Sequence, residues 1–370
     1  MLTTRSTLNM TMTRGREPQA YDHELVDRYR EIVVDQRYHW TTHHRLQQLL
    51  GTGGQGTVYL TTRRGSDGFT LPVALKIFSP ERFEDERAYT HAMQRMSRVA
   101  SQVAQIQHDN LINVQNFFER DRIRMMEMEW IDGYDLRRML QNKLLDDIEF
   151  QVSNKRWDYI NRVIVTKGPE QPRIKPGVAV AIVRDCLGAL AALHRDGIVH
   201  GDIKPSNVML KRTGNAKIVD MGSAFVLEDP PPQRSCTPLY AAPEVLEGCE
   251  SSGRSDLASL GYVLIEALSG RIPFSTGLDY RDLLEEKRLL PQRLHQLLPD
   301  DVTRNELLMS FCRGLIAPDP MRRFPSAEAA DLVEDGAAAF HRQLIKGDMA
   351  SEYENEIRLW VEVLHDLEVK

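Results

Sequence analysis

Apolar residues change their spacing several times along the chain, and the changes mark out its parts. After a polar start that closes at Pro18, "YDHELVDRYREIVVD" sets Leu25, Tyr29 and Ile32 on one face at helical spacing. From Arg45 the period shortens to that of strands, in "RLQQLLG", "TVYLTTR" and "LPVALKIF", separated by Gly-rich or polar turns such as "RRGSDG". A long helix is predicted from about Arg82 to Gln105. "LINVQNFFER" and "IRMMEMEW" then form a predicted hairpin through "RDR".

At "IDGYDL" this strand-rich part, residues 45–131, gives way to a mostly helical part, residues 132–345. "GVAVAIVRDCLGALAALHRDG" reads as a buried helix closed by Gly197, and "SDLASLGYVLIEALSG" as another, capped by Ser255 and closed by Gly270. A mixed segment at about 142–175, with Trp157 and Tyr159, reads as an inserted loop or small helical excursion. Residues 1–44 are expected to be a disordered start plus a helical extension. Residues 346–370 are expected to form a helix with Ile357, Trp360, Val361 and Leu364 along one side.

Composition narrows the function more than the fold. A net charge of -6 gives no electrostatic reason for nucleic acid or an anionic membrane as main partner. The cysteines Cys186, Cys236, Cys249 and Cys312 lack CxxC pairs and zinc-like spacing, and are expected to be reduced thiols. The apolar run from Gly177 is interrupted by Arg184 and Asp185, short of the ~20 residues that a membrane span needs. The start of the chain has no apolar core of signal-peptide length, so the expected location is cytoplasmic. His39, His43 and His44 have no carboxylate or cysteine to complete a metal site and read as surface histidines.

The chemistry lies in short motifs whose order matters more than any one of them. "GTGGQGTV" joins two predicted strands, and Gly51, Gly53 and Gly56 let the backbone approach a triphosphate closely. A loop joining strand to strand argues against a dinucleotide fold, where a helix must follow. Lys76, in "VALK", would clamp the α- and β-phosphates with an acidic partner on the following helix. In "HGDIKPSN", Asp202 is placed to accept a hydroxyl proton, Lys204 to neutralise the transferring phosphoryl group, and Asn207 to hold a metal ion. Asp220, in "IVDMGSA", offers a second oxygen to a hard cation such as Mg²⁺.

Taken in order, these motifs resemble a eukaryotic-like serine/threonine protein kinase of the bacterial type, over roughly Arg45 to Ile345. The resemblance implies a two-lobed α+β fold, with a small antiparallel-sheet lobe carrying one long helix and a larger, mostly helical lobe. It implies ATP with Mg²⁺ or Mn²⁺ in the cleft and a protein substrate with a Ser or Thr acceptor. Gly51, Gly53, Gly56 and Val58 would form the nucleotide-covering loop, and Ala74 would line the adenine pocket. Met128 would be the gatekeeper, Glu129 to Ile131 the hinge, and Asp135 the ribose contact.

Small-molecule phosphotransferases share "HGD" and a downstream metal Asp, but they lack a peptide-docking segment. This chain has "CTPLYAAPEVL" with Thr237 and Glu244, preceded by Ser235. Asp256 would brace the catalytic loop, and Arg323 would pair with Glu244.

Several positions depart from the family pattern. Gly201 stands where the family has an arginine that grips a phosphorylated activation segment. Activity is therefore expected not to depend on that contact, unless Arg234 or a residue of the insert supplies the charge. Glu86 is the expected partner of Lys76, although it lies unusually early in its helix; Glu84 is the alternative. Met221 replaces the usual Phe. These departures keep open an ATP-binding scaffold without turnover, and an aminoglycoside- or choline-type phosphotransferase remains the other alternative.

Overall fold

Gly-rich and polar turns break the first strand-period segment into consecutive antiparallel strands: β1 (Leu46–Gly53), β2 (Gly56–Arg64) and β3 (Thr70–Phe78). The computed structural model describes residues 46–231, 236–249, 251–346 and 353–368, all within one unit, Arg45–Lys370. β4 (Val114–Arg120) and β5 (Ile123–Glu129) complete a five-stranded sheet of order β1-β2-β3-β5-β4. The β4–β5 turn uses Asp121 and Arg122, both at positive φ (51° and 68°), the conformation that suits a two-residue hairpin turn. The helix predicted near the start of the chain and the three histidines after it lie outside the described residues.

Helix α1 (Glu86–Val103) follows β3 and is capped by Asp85, whose carboxylate accepts from the Ala88 N–H at 2.7 Å. Its buried side is Tyr89, Met93, Met96, Val99, Ala100 and Val103. After β5 the chain enters a second, helical lobe. The insert is ordered into α2 (Asn142–Gln151) and α3 (Asn154–Val163), followed by a short hairpin of Val165–Thr166 with Arg173–Ile174. The small helical excursion expected there is thus two helices.

Helix α4 (Pro176–Arg195) is the central element of this lobe, and most of its residues are buried. It is 20 residues long and contains an 18-residue window with a mean hydropathy of 1.6, so it is long and apolar enough to cross a membrane by length and composition, despite Arg184 and Asp185. Here it is a core helix. Arg184 pairs with Asp331 at 2.7 Å, and Asp185 accepts from the Ala216 N–H at 2.7 Å.

Helix α5 (Gly253–Ser269) runs almost wholly buried beside α4. Its cap is Ser252 rather than the expected Ser255. Ser252 and Ser255 form a reciprocal capping box, so the second serine sits one turn inside the helix. Gly270, at φ 71°, closes it as expected. Helices α6 (Tyr280–Leu297), α7 (Glu306–Ile316) and α8 (Ala337–Lys346) complete the lobe.

The C-terminal α9 (Tyr353–Glu368) buries the stripe Ile357, Trp360, Val361 and Leu364. It packs on α2 and α4, and the Tyr159 hydroxyl of α3 donates to Glu356. The insert and the terminal helix therefore cover each other, which accounts for both. Strands Gly133–Asp135, Val208–Lys211 and Ala216–Ile218 make a small sheet under the first lobe. The architecture is the two-lobed α+β arrangement expected from the motif order.

Candidate active site

Register alone assembles the upper wall of the cleft. Val58 lies opposite Lys76 across β2 and β3, and Ala74 opposite Met128 and Lys76 opposite Met126 across β3 and β5. Directly opposed residues share a face of the sheet, so these side chains line one surface. Gly53 pairs with Gly56, leaving Gly54 and Gln55 as the tip of the β1–β2 hairpin. Gly56, at φ 139°, could not carry a Cβ, which would lie 2.0 Å from the Ile77 carbonyl oxygen. The loop thus lies tight on β3 at its base. At Gly51, Gly53 and Gly54 nothing stands within 4 Å of where a Cβ would be. That open space lets a phosphate chain approach the backbone.

At the expected hinge, Ile131 is buried, and Glu129 turns its carboxylate to accept from the Asn113 N–H (2.7 Å) and the buried Lys217 ammonium. Asp135 caps the next helical turn by accepting from the Arg138 N–H at 2.9 Å. Burial raises its carboxyl above the usual range.

The lower wall is the loop His200–Asn207. Its backbone hangs on Asp256, which is buried on α5. One carboxylate oxygen accepts from the His200 N–H and from His194 Nε2, each at 2.9 Å, and the other from the Gly201 N–H at 2.9 Å. Burial alone would raise the Asp256 carboxyl, but His194, His200 and the Gly201 amide hold it below the usual range. Gly201 itself sits at φ 75°, with the Ser223 carbonyl oxygen 3.0 Å from where a Cβ would be. A glycine adopts that conformation without strain, whereas an arginine there would be strained.

Asp202 follows and is enclosed by partners. Lys204 Nζ donates to its Oδ2 (2.6 Å), while the Thr237 N–H (3.0 Å) and hydroxyl (2.8 Å) donate to its Oδ1. Lys204 also donates to the Thr237 hydroxyl at 3.0 Å. Asn207 is held by donating from Nδ2 to the Asp202 carbonyl at 2.8 Å, so its amide orientation is fixed. Asp220 occupies the left-handed region (φ 64°), and its carboxylate accepts from the Gly222 N–H at 3.0 Å and from the Lys76 ammonium. Desolvation would raise that carboxyl, but Lys76 outweighs it and keeps Asp220 ionised.

The segment after Thr237 is anchored as a unit. Glu244 and Arg323 form a buried two-pronged ion pair with both N···O distances 2.7 Å. Ser235 and Arg234 lie outside the described residues.

The protein kinase domain family model matches residues 44–333. The chain belongs to the protein kinase family. Curated relatives include serine/threonine-protein kinase PrkC of Bacillus subtilis, 27% identical over 307 residues, covering 80% of this chain and 40% of that one. PknD of Mycobacterium tuberculosis is 31% identical over 290 residues, covering 77% and 38%. Pkn2 of Myxococcus xanthus is 27% identical over 324 residues, covering 85% and 33%. The chain thus spans between 33% and 40% of these relatives' lengths. The crystal structure of the M. tuberculosis PknI kinase domain shares the fold, with a TM-score of 0.52 and 23% identity over 82% of this chain and 97% of that one. These matches make the chain a member of the eukaryotic-like bacterial serine/threonine kinase family.

One site residue is not where the motif order put it. Glu86 does not meet Lys76; it stands at the exposed start of α1 and pairs with Arg122 of the β4–β5 turn. The inward face of α1 is apolar, so the helix offers the lysine no carboxylate. Among the described residues, the carboxylate paired with Lys76 is Asp220. Glu84, the alternative, is exposed ahead of the helix.

Several working residues were not singled out by motif. His194 joins the Asp256 network from the end of α4, and Gln55 bonds Lys76 from the loop tip. Lys287 of α6 is wholly buried, donates to the Leu239 carbonyl at 2.8 Å, and lies 4.2 Å and 4.0 Å from the Tyr262 and Phe274 ring centres. Burial pushes its ammonium well below the ordinary lysine range. Of these, only Gln55, the single long polar side chain within "GTGGQG", had a signal in the sequence.

Proposed function

We propose that this chain transfers the γ-phosphoryl group of ATP, with Mg²⁺ or Mn²⁺, to serine or threonine hydroxyls of proteins. The observation that carries this reading is the closed constellation of Asp202, Lys204 and Thr237. It sets a carboxylate, an ammonium and the peptide-docking segment within hydrogen-bond reach of one another. A small-alcohol phosphotransferase has no need of such a segment.

The residues also fit a nucleotide and a divalent metal. Asp220 is held ionised and its side chain is 37% exposed to the cleft. Asn207 presents an amide oxygen from a fixed side chain. These are hard oxygen donors of the kind Mg²⁺ takes. When bound, the metal would neutralise charge on the phosphates. Gly51, Gly53 and Gly56 would cover the phosphates, Lys76 would orient them, and Ala74, Val58 and Met128 would enclose the base. Asp135 would meet the ribose, beside the hinge from Glu129 to Ile131. Asp202 would align the acceptor hydroxyl and take its proton, and Lys204 would offset the charge on the transferring group.

Thr237 reaches Asp202 directly, through its backbone N–H and its hydroxyl. Together with Gly201 in the family's arginine position, this direct contact favours a catalytic loop that works without an arginine–phosphate grip.

The test is incubation of the chain with γ-labelled ATP and Mg²⁺, in one arm with a generic basic protein, followed by acid hydrolysis and phosphoamino-acid separation, and in another with small alcohols such as aminoglycosides and choline. Phosphoserine or phosphothreonine is the expected product. Tight ATP binding with no labelled protein would make the chain a scaffold. Label on small alcohols alone would make it a small-molecule kinase.

A further inference from the structure

Lys76 poses a problem of partners. Its side chain is 4% exposed, and a buried ammonium without acceptors is costly. On the reading above, Asp220 must also serve the metal, so the carboxylate now paired with Lys76 has a second claim on it. Helix α1 cannot relieve this, because Met93, Met96 and Val99 form its inward face and Glu86 is turned to Arg122. Among the described residues, apart from the Phe78 ring 5.4 Å away, the remaining partner of the ammonium is Gln55 Oε1 at 2.8 Å.

Gln55 is held at several points. Its Nε2 donates to the Ser223 hydroxyl at 2.8 Å, and its backbone carbonyl accepts from the Ser79 N–H at 3.1 Å. Gly222 leaves room for it, since a Cβ there would lie 1.7 Å from Gln55 Oε1. Its amide therefore bridges the strand that carries Lys76 and the segment that follows Asp220.

We propose that Gln55 is the positioning residue of Lys76: the tip of the glycine-rich loop supplies the acceptor that α1 lacks. Closing the loop and orienting the lysine then become one event, independent of where α1 sits. The proposal rests on the kinase reading for its consequence in phosphate transfer. Its contact with Lys76 can be tested without that reading.

A residue that merely plugs the cleft would give the opposite sign, because removing it would help the nucleotide in. The experiment compares the full chain with Gln55→Met, which keeps length but loses both amide bonds, and Gln55→Glu, which keeps the acceptor. Three quantities are read: labelling of Lys76 by an amine-reactive ester in nucleotide-free protein, the Kd for ATP without metal, and kcat and KM for ATP with Mg²⁺.

Gln55→Met is expected to speed Lys76 labelling severalfold, to weaken metal-free ATP binding, and to lower kcat roughly tenfold or more, the scale of losing a hydrogen bond to a charged group. Gln55→Glu is expected to restore kcat to within about threefold, as an acceptor of similar reach should. Unchanged labelling, or kcat equal to or above wild type in Gln55→Met, would overturn the proposal. If wild type transfers no phosphate, the kinase reading fails, and labelling with ATP binding decides the role of Gln55 alone.

Discussion

Removing Arg323 should be among the most damaging single changes outside the cleft, and the structure allows its cost to be apportioned. All of its N–H groups point at acceptors. Nε donates to the Ala317 carbonyl (2.7 Å), Nη1 to Glu244 (2.7 Å) and the Arg254 carbonyl (2.9 Å), and Nη2 to Glu244 (2.7 Å) and the Pro318 carbonyl (3.2 Å). The two side chains are 0% and 9% exposed, so little water can replace what is lost.

Among the described residues, Arg323→Met leaves the Glu244 carboxylate with the Ser255 hydroxyl as its remaining bond, at 2.8 Å. Breaking a buried pair in this way costs about 3–5 kcal/mol. That is a large part of the ~5–15 kcal/mol that holds a typical domain folded. Glu244→Leu combined with Arg323→Met removes the stranded charge, and a buried pair replaced by apolar groups is often near neutral. The three carbonyls would still lose their donor, at about 1 kcal/mol each. The double variant should therefore still cost about 3 kcal/mol and recover at most ~2 kcal/mol of the single loss. Urea denaturation followed by tryptophan fluorescence measures wild type, the two single variants and the double variant. A cost below ~1 kcal/mol for Arg323→Met, or a double variant as unstable as the sum of the singles, would refute the reasoning.

Other substitutions probe single features. Gly201→Ala forces a Cβ into φ 75° beside the Ser223 carbonyl and should cost about 1–2 kcal/mol, read as a lower melting temperature. Burial raises the Asp185 carboxyl from its ordinary 3.8 to about 6. Within that window the folded chain keeps a proton that the unfolded chain releases, so this group's stability is present below pH 3.8 and is lost as pH rises past 6. Asp185→Asn keeps an oxygen for the Ala216 N–H and should stabilise the chain at pH 7.5 by at most ~3 kcal/mol, with little difference at pH 4. Melting curves at the two pH values give the comparison, and equal shifts at both would contradict it.

What could be read from sequence was whatever is local. The glycine loop, "VALK", "HGDIKPSN" and "IVDMG" each place their chemistry within a few residues, and their order determined the fold before any contact was known. Glu86 shows the limit. Its partner depends on which way the start of α1 faces, and Arg122, 36 positions away in a hairpin turn, decides that. The same holds for Gln55, whose bond to Lys76 exists only once the β1–β2 loop folds over β3.

The displaced cap of α5 has a different cause. Ser252 and Ser255 both suit a helix start, and choosing between them requires seeing both bonds of the capping box. The insert was opaque because it packs and hydrogen-bonds to α9, nearly two hundred positions later. Lys287 was equally hidden, since no short-range pattern shows that a lysine will be enclosed by Tyr262 and Phe274.

The most direct test of the central claim is single-turnover phosphate transfer by Asp202→Asn, with the ATP Kd measured on the same preparation. The side chain keeps its size and an acceptor for Thr237, but loses the basic oxygen that would take the hydroxyl proton. Transfer should fall by about 10²–10⁴-fold, the worth of a positioned general base, while ATP binds as in wild type. Transfer retained within a few-fold would contradict the account by removing Asp202 from the chemistry. Parallel loss of transfer and ATP binding would do so by making Asp202 a structural residue.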